Sequence, residues 1–343
     1  MSKTVYVGLS GGVDSAVSAA LLRSQGYRVV GAFIKIWRPE FYECTWEKDR
    51  IDAMRVAVAL DIPFREIDLS TEYEREVIKE MTASYESGTT PNPDVSCNER
   101  IKFGSFYDWA RGDGADLVAT GHYARIAEHA GEYTLLRGVD QSKDQSYFLY
   151  RIGRDRLSSV LFPVGGMTKS AVRSLADRRA LPVAKKHDSQ GLCFVGDVGM
   201  REFLSRYIEV REGAVLDENG NEIGRHEGAA LYTIGQRHGF STTQAGPFFV
   251  SSIDARSNTL TVVRDLRSCA RSTASLGRMH WLVDPDLPRT ATAQSRYHGA
   301  PFDVRVEEMP ATSVMFDSPQ VISPGQSLVM YDGDVCLGGG IIT

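Results

Sequence analysis

The sequence predicts an α/β domain with a doubly wound parallel sheet, followed by two small, mainly β domains, the last a β-barrel. At 343 residues the chain exceeds the size at which one hydrophobic core keeps growing. Strand-like and helical periods alternate through roughly the first 200 residues, which is typical of βαβ units. After residues 201–207 the pattern changes to short strands separated by turn signals. We place the domains at residues 1–203, 204–274 and 275–343.

Hydrophobic periodicity defines the elements of the first domain. The strand-like runs are residues 4–9, 28–34, 63–69 and 116–120. The helical stretches between them are residues 13–25, 47–60, 71–85 and 99–110. Residues 88–98 form a turn-rich loop, and Asn98 is predicted to cap the helix that follows.

Short alternating runs predict β-structure in the rest of the chain. Residues 248–253 and 259–263 are predicted to form one hairpin. The predicted strands of a separate sheet or barrel are residues 302–308, 313–316 and 327–331. Residues 282–288, which include two prolines, form a turn-rich loop near the start of the third domain.

The composition is that of a soluble globular protein, with 42% hydrophobic and 24% charged residues. No apolar run approaches the roughly 18 residues of a membrane span, and the first residues lack a signal-peptide pattern. We therefore expect a cytoplasmic protein without a membrane partner. The net charge of −5 predicts no whole-surface attraction to nucleic acid but allows a local basic groove.

The five cysteines are odd in number and widely spaced: Cys44, Cys97, Cys193, Cys269 and Cys336. The absence of a C-x-x-C pair removes the usual zinc and iron–sulfur spacings, and the spacing does not suggest a disulfide framework. Cys97 precedes a predicted helix, whose dipole favours a thiolate, and Cys193 lies in a small-residue loop over residues 188–196. Both settings favour reactive thiols, with a buried small hydrophobe as the alternative for either one.

The strongest motif is Ser-Gly-Gly-Val-Asp-Ser at residues 10–15, between a predicted strand and a predicted helix. Glycines allow a tight turn, and the backbone amides with the helix dipole favour a bound phosphate. The motif lacks the lysine of G-x-x-x-x-G-K-[ST] and is not G-x-G-x-x-G, which disfavours kinases, GTPases and dinucleotide-binding proteins. The alternative is a tight connection only. Two flanking serines and an aspartate in the first helical turn favour phosphate binding.

These six residues resemble the SGGxDS signature of the PP-loop ATP pyrophosphatases, which cleave ATP between its α- and β-phosphates to adenylylate a substrate. The resemblance implies an adenine nucleotide alpha hydrolase-like fold, ATP as cofactor, and nucleotide contacts at the carboxyl ends of strands. Asp14 is, by charge and position, the expected Mg²⁺ contact. The implied ATP-binding residues are Gly8, Leu9, Ser10, Gly11, Gly12, Val13, Asp14, Ser15, Ile34 and Gly121.

Over nearly its whole length the chain also resembles the tRNA-specific 2-thiouridylase family. Six motifs occur in order, at residues 8–15, 90–103, 119–125, 143–150, 188–196 and 335–341. Ser96, Glu99, His187 and Gln190 depart from the family pattern, but none is a cysteine or lies in the phosphate loop. The resemblance implies ATP-dependent 2-thiolation of the wobble uridine, position 34, in tRNAs of the Lys, Glu and Gln type.

The implied chemistry assigns roles to both reactive thiols. Because the uracil C2 oxygen is a poor leaving group, ATP first converts it to an adenylate, with release of pyrophosphate and later AMP. The resemblance makes Cys193 the persulfide carrier and Cys97 the nucleophile, with a transient Cys97–Cys193 disulfide, while Asp14 supports adenylylation. A sulfur donor protein, either a cysteine desulfurase or a sulfur-relay carrier, is the implied second partner.

The resemblance also implies contacts with the tRNA anticodon loop. The residue types suit phosphate contact, base stacking and reading of base edges, and the target base must leave its stack. The implied tRNA-binding residues are Asn92, Pro93, Asp94, Lys143, Asp144, Gln145, Arg296 and Tyr297, with further contacts from the central domain.

Three alternatives stay open at this level. A PP-loop synthetase using ammonia would not need two reactive cysteines, and a thiolase with an iron–sulfur cluster is disfavoured by the missing C-x-x-C pair. A tRNA-binding protein with a regulatory nucleotide loop is the non-catalytic alternative. His122, beside a predicted strand end, is more often a hydrogen-bonded supporting residue than an acid–base catalyst.

Overall fold

The centre of the first domain is a five-stranded parallel sheet. The structure is a computed structural model that describes residues 2–39, 46–188, 199–284, 289–306 and 313–343. The strand order is β3-β2-β1-β4-β7. Cys44 and Cys193 lie outside the described residues. The strands are β1 (Thr4–Gly8), β2 (Arg28–Lys35), β3 (Phe64–Asp68), β4 (Leu117–Ala119) and β7 (Val160–Leu161). The four predicted strands are confirmed, and β7 was not predicted.

Helices cover both faces of this sheet, as expected for a doubly wound fold. The first face packs against α1 (Val13–Ser24), α2 (Trp46–Ala59) and α8 (Lys169–Arg178). The second face packs against a helix built from α3 (Ser70–Tyr73), a π-helical segment (Glu74–Ile78) and α4 (Lys79–Glu86). Successive side chains of β1 point to opposite faces of the sheet: Val5 and Val7 lie in the core on the first face, and Tyr6 lies in the core on the second.

The helix that carries Cys97 starts earlier than predicted. It begins with α5 (Pro93–Ser96), continues through a π-helical segment (Cys97–Ser105) and ends as α6 (Phe106–Gly112). Asn92 caps it, because its side chain accepts a hydrogen bond from the Val95 amide (3.4 Å) and a proline follows at the first helical position. The prediction that Asn98 caps this helix is therefore wrong. Asn98 is buried and donates to the Phe148 carbonyl (3.2 Å).

A hairpin inserted in the first domain joins it to the last one. Strands β5 (Ala124–His129) and β6 (Glu132–Arg137) pair antiparallel, and β6 pairs with β18 (Val335–Ile342) through Leu136 and Val335. The short helix α7 (Ser146–Leu149) follows, and a 3-10 helix (Arg154–Ser159) leads into β7. After α9 (Met200–Leu204) the chain leaves the first domain.

The central domain is a small five-stranded sheet with the order β10-β9-β8-β12-β11. Its strands are β8 (Gly213–Leu216), β9 (Glu222–His226), β10 (Phe240–Thr242), β11 (Phe249–Asp254) and β12 (Thr259–Val263). The predicted hairpin is confirmed as β11 and β12, which pair antiparallel. Val215, Val250 and Leu260 lie in its core.

The last domain is a closed six-stranded β-barrel, as predicted. The strands follow the order β13-β16-β15-β14-β17-β18, and pairing between β13 and β18 closes the barrel. Closure removes exposed sheet edges. The strands are β13 (Arg271–Trp281), β14 (Arg289–Gln294), β15 (Phe302–Val306), β16 (Ser313–Gln320), β17 (Ser327–Asp332) and β18 (Val335–Ile342). Over the described parts of the chain, every helix is too short or too polar to cross a membrane.

Candidate nucleotide and RNA site

The turn between β1 and α1 is shaped for an anion. Gly11 has a φ of +74°, and a Cβ there would lie 2.3 Å from the Asp49 carbonyl oxygen, so only glycine fits. The Ser15 hydroxyl accepts from the Ser10 amide and donates to the Gly12 carbonyl, both at 3.2 Å. Gly12 precedes the helix without a side chain that could cap it, so the first amides of α1 remain available to an anionic ligand.

Other residues predicted to bind ATP lie at the same edge of the sheet. Gly121 follows β4, and a Cβ at this position would lie 2.7 Å from the Ser15 amide nitrogen. Gly8 ends β1, and Ile34 is the penultimate residue of β2. Because parallel strands end at one edge, these residues surround the phosphate loop, where doubly wound sheets bind ligands.

Lys169 bridges the phosphate loop and a second carboxylate. Its Nζ lies 2.8 Å from Asp14 Oδ1, 2.9 Å from Asp14 Oδ2 and 2.8 Å from Asp188 Oδ1. The Lys169 side chain is only 13% exposed, so its charge is weakly screened by water. Asp188 also pairs with Arg173 and lies 3.9 Å from the Nζ of Lys143. A cation thus stands beside a loop whose motif lacks the usual lysine.

Tyr123 adds a neutral hydrogen-bond donor to this cluster. Its hydroxyl donates to Asp14 Oδ1 (2.8 Å). Burial, followed by the negative charge of Asp14, raises the pKa of Tyr123, so the phenol stays protonated. Burial would by itself raise the pKa of Asp188, but the hydrogen bond and charge of Lys169 and the nearby Arg173 lower it. The Asp188 carboxylate therefore stays ionised.

Sequence reasoning missed Lys169, although a signal for it existed. Thr168 caps α8 by accepting from the Ala171 amide (3.3 Å), which places Lys169 in the first helical turn. A lysine at a helix N-terminus is opposed by the helix dipole. Such an unfavourable placement, preceded by two glycines, indicates a role for the charge other than helix stability.

The Mg²⁺ prediction for Asp14 fits the donors that are present. The described residues contain no group of three His, Cys, Asp or Glu side chains that could bind a metal on their own. Mg²⁺ is commonly bound by one or two carboxylates together with substrate phosphates and water. Asp14 and Asp188 both contact the Lys169 ammonium, so they are close enough to contribute in this way.

The residues predicted to bind tRNA meet beside this cluster. Two hydrogen bonds join Gln145 to Tyr123. The Gln145 side-chain oxygen accepts from the backbone amide of Tyr123 (3.0 Å), and the backbone amide of Gln145 donates to the Tyr123 carbonyl (2.9 Å). Lys143 faces Asp188, as described above. The loop 143–145 is thereby joined to Asp14 through Tyr123 and through Lys169. The two predicted sites are contiguous.

Tyr297 brings the barrel to the same place. Its ring lies 4.3 Å from Phe148 and 3.9 Å, nearly parallel, from His298. Burial, with the charges of Asp144 and Asp94, raises the pKa of Tyr297 to about 12. Tyr147 and Phe148 closely follow the loop 143–145, so the ring contacts of Tyr297 bring residues 296–297 beside that loop. Arg296, the neighbouring residue, is exposed.

Asp144 differs from its neighbours because its carboxylate is buried and fully engaged. It accepts from the Gly138 amide (2.9 Å), from the Ser146 amide and hydroxyl (3.1 and 2.9 Å), and from Arg137 (3.0 Å). Its exposed fraction is 6%. In this arrangement Asp144 holds the loop in shape rather than offering a free acceptor to RNA.

Cys97 and two polar groups lie along the same helix. The Cys97 thiol is 4% exposed and packs in the second core of the first domain. Burial raises the pKa of Asp94, one turn before it, while the Lys102 charge opposes the shift. The Lys102 Nζ lies 3.5 Å from His122 Nε2.

His122 is buried and neutral. Its Nδ1 lies 2.7 Å from the Thr120 hydroxyl, and its ring packs between Phe103 and Phe162. Burial, and then the Lys102 charge, lower the pKa of His122 well below its usual 6.5. A histidine in this setting supports the strand end and Lys102, and is poorly placed to take up a proton.

Family models divide the chain into the same succession of folds. The "tRNA methyl transferase HUP domain" matches residues 3–197, the "tRNA methyl transferase PRC-barrel domain" residues 201–264, and the "Aminomethyltransferase beta-barrel domain" residues 271–342. The fold and the phosphate loop thus define a class: a HUP nucleotide-binding domain with two appended β domains.

Curated relatives define the family within this class. A tRNA-specific 2-thiouridylase MnmA from Thiobacillus denitrificans is 44% identical and covers 100% of both chains. Its counterpart from Nitrosomonas eutropha is 43% identical over 99% of this chain and 98% of the relative. The chain belongs to the tRNA-specific 2-thiouridylase family. Among solved structures, the NMN synthetase of Francisella tularensis is similar with a TM-score of 0.38 and 22% identity, covering 58% of this chain and 71% of that one. A similarity of this size says nothing about function.

Proposed function

We propose that the chain is an ATP-dependent tRNA-uridine 2-sulfurtransferase that acts on the wobble uridine, position 34, of tRNAs of the Lys, Glu and Gln type. The observation that carries this proposal is the relation, over essentially the full length, to 2-thiouridylases that are 42–44% identical. The joined phosphate loop, Lys169 cluster and Cys97 helix support it, because the reaction needs a nucleotide, an RNA base and a thiol in one place.

The first half-reaction activates the uridine. The C2 oxygen attacks the α-phosphorus of ATP, the adenylate forms and pyrophosphate leaves. The amides of Gly11 to Ser15 bind phosphate oxygens, and the Lys169 ammonium offsets the negative charge that develops on the leaving pyrophosphate. Mg²⁺, bound at Asp14 with the ATP phosphates, would supply further charge neutralisation. Gly121 allows the nucleotide loop and the β4 edge to approach closely.

The second half-reaction moves sulfur. The terminal sulfur of a Cys193 persulfide attacks C2, and AMP leaves. The Cys97 thiolate then attacks the Cys193 sulfur, which releases 2-thiouridine and forms a Cys97–Cys193 disulfide. A thiol reductant restores both cysteines. Because Cys97 is 4% exposed in the free protein, this step requires the helix start around Asn92 to Cys97 to open when RNA binds.

The substrate RNA is recognised across the junction of the first domain and the barrel. Lys143 and Arg296 suit phosphate contacts, and Tyr297, with the exposed His298 ring stacked on it, supplies an aromatic surface for an unstacked base. Asn92, Pro93 and Asp94 line the approach to Cys97, while Gln145 and Asp144 hold the loop that carries Lys143. The sulfur donor is a protein that delivers a persulfide, a cysteine desulfurase or a relay carrier.

The test is mass analysis of nucleosides from unmodified tRNA incubated with the protein, ATP, Mg²⁺ and a persulfide source. We expect 2-thiouridine that depends on ATP and is lost in Cys97→Ser and Cys193→Ser. Asp14→Ala should stop pyrophosphate release without unfolding the chain, because the loop contributes little core. A persulfide mass increment that survives in Cys193→Ser would reassign the sulfur carrier.

The same assay separates the alternatives. Cleavage of ATP to AMP without a thionucleoside would retain the phosphate-loop assignment and direct the search to another carbonyl substrate or to a missing sulfur donor. If the wild-type protein and the Cys193→Ser variant bind tRNA equally well and neither cleaves ATP, the protein is a non-catalytic RNA-binding protein.

A further inference from the structure

A cavity of about 410 Å³ lies between the first domain and the barrel. One wall is formed by α4 and the start of α5, including Met81, Ser84 and Val95. The opposite wall is the end of the barrel, with Arg278 from β13 and Ser327 from β17. Its volume is within the roughly 300–1,000 Å³ of small-molecule and nucleotide sites. No residue of the phosphate loop lines it.

A buried arginine in this cavity has an unsatisfied donor. The Arg151 side chain is only 10% exposed, and its Nη2 pairs with Glu99 Oε1 at 2.8 Å. Its Nε is buried and has no hydrogen-bond partner among the residues that the structure describes. A buried N–H without an acceptor is costly, and native proteins seldom leave one unpaired. An acceptor atom on a ligand in the cavity would satisfy it.

The charges around the cavity favour an anionic ligand. Five side chains alternate in sign: Arg151 pairs with Glu99, Arg100 lies between Glu99 and Glu80, and Arg278 pairs with Glu80. Three guanidinium groups therefore meet two carboxylates, which leaves one positive charge in excess among these side chains. Arg278 is the most exposed of the three, at 47%. It is the one best placed to meet a phosphate.

The cavity is continuous with the proposed RNA surface. Asn92 and Ser327 line it. The Tyr147 hydroxyl donates to the Ser327 carbonyl (3.0 Å), and the Tyr147 ring lies 6.3 Å from that of Tyr297. One aromatic side chain thus separates the cavity from the residue proposed to stack on an unpaired base. A chain that contacts Tyr297 can place its next nucleotide here.

We propose that this cavity binds one nucleotide of the substrate tRNA adjacent to the modified uridine. Its base lies against the apolar wall of Val77 and Met81 with an acceptor towards Arg151, and its phosphate faces Arg278. The proposal rests on the proposed function and adds a second base contact to it. A base held in such a pocket allows selection of the sequence around the target uridine.

The first experiment fills the cavity. Ser84→Phe adds an aromatic ring to the lining without changing charge, and Ala83→Phe adds the same ring one residue away, at an exposed position of α4. We measure binding of unmodified tRNA and of tRNAs with an abasic site at each anticodon-loop position other than the target. One abasic position should weaken wild-type binding about tenfold, as expected for one lost base contact. Ser84→Phe should weaken binding of intact tRNA similarly and abolish that difference, while Ala83→Phe behaves as wild type.

The second experiment tests the phosphate contact and does not depend on the first variant folding. Arg278→Met should reduce the slope of log Kd against log salt by about one, whereas Arg178→Met on α8 should leave it unchanged. Unchanged tRNA binding in a Ser84→Phe protein that binds ATP normally would overturn the proposal. The proposal would also be overturned if the losses of affinity caused by Ser84→Phe and by the abasic site add when the two are combined. An unchanged salt slope in Arg278→Met would do the same. If the wild-type protein forms no 2-thiouridine, the proposed function itself fails, which these binding results do not decide.

Discussion

Replacing Lys169 with methionine removes the cation shared by the phosphate loop and Asp188 while keeping the length and most of the apolar stem. The ammonium contacts Asp14 and Asp188 at 2.8 Å and is 13% exposed, whereas the two carboxylates are 31% and 33% exposed. The two ion pairs of Lys169 are thus neither fully buried nor fully exposed. We expect a loss of about 1–2 kcal/mol in the free energy of unfolding, between the values for those two cases.

The effect on the reaction should be larger than the effect on stability. A charge that meets the developing charge on a leaving group is worth roughly 10²–10³ in rate. In Lys169→Met, Asp14 also loses its counter-ion and repels ATP, so KM for ATP rises. Lys169→Arg keeps the charge with a different geometry and should fall between wild type and Lys169→Met. Tyr123 still donates to Asp14 in both variants.

The assay is release of pyrophosphate from ATP in the presence of unmodified tRNA, with the unfolding midpoint measured in parallel. Lys79→Met, a lysine 69% exposed on α4, serves as the matched control. The reasoning is refuted if Lys169→Met releases pyrophosphate with wild-type kcat and KM. It is also refuted if the rate falls only in proportion to the fraction of unfolded protein.

Three further results are expected. Gly121→Ala should weaken ATP binding, because the added Cβ would lie 2.7 Å from the Ser15 amide nitrogen. Gly166→Ala, where the structure shows open space, should leave ATP binding unchanged. Equal affinities of the two variants in nucleotide titrations would contradict this. Cys97 should react slowly with iodoacetamide in the free protein and faster with tRNA bound, as measured by peptide mass; rapid labelling of the free protein would contradict its burial. Because the pKa of His122 is lowered when folded, only the unfolded chain gains this proton as pH falls below about 6.5. The free energy of unfolding should therefore fall by up to about 1.4 kcal/mol for each unit by which the pH is lowered. In urea unfolding, His122→Asn should reduce this dependence of the free energy of unfolding on pH. A pH dependence identical to that of the wild type would contradict the reasoning.

Several features could be predicted because their causes are local. The strands β1, β2 and β4 are short apolar runs bounded by turn signals, and residues 10–15 carry their own turn and helix start. The sequence misplaces the start of the Cys97 helix, because Asn92-Pro93 is typical of a turn-rich loop but an Asn cap followed by proline also begins a helix. Asn98 has the right chemistry for a cap, but its burial against Phe148 depends on a distant segment.

The sequence by itself determined the doubly wound first domain, the phosphate loop, the change to β-structure near residue 207 and the family. Tertiary structure alone decided that Lys169 stands beside Asp14, 155 residues away in sequence. It also decided that β6 joins the barrel and that the Tyr297 ring of the barrel packs against Phe148 of the first domain. The physical reason is that backbone turns and amphipathic periods are set by neighbouring residues, whereas ion pairs and barrel closure depend on which distant segments the packed cores bring into contact.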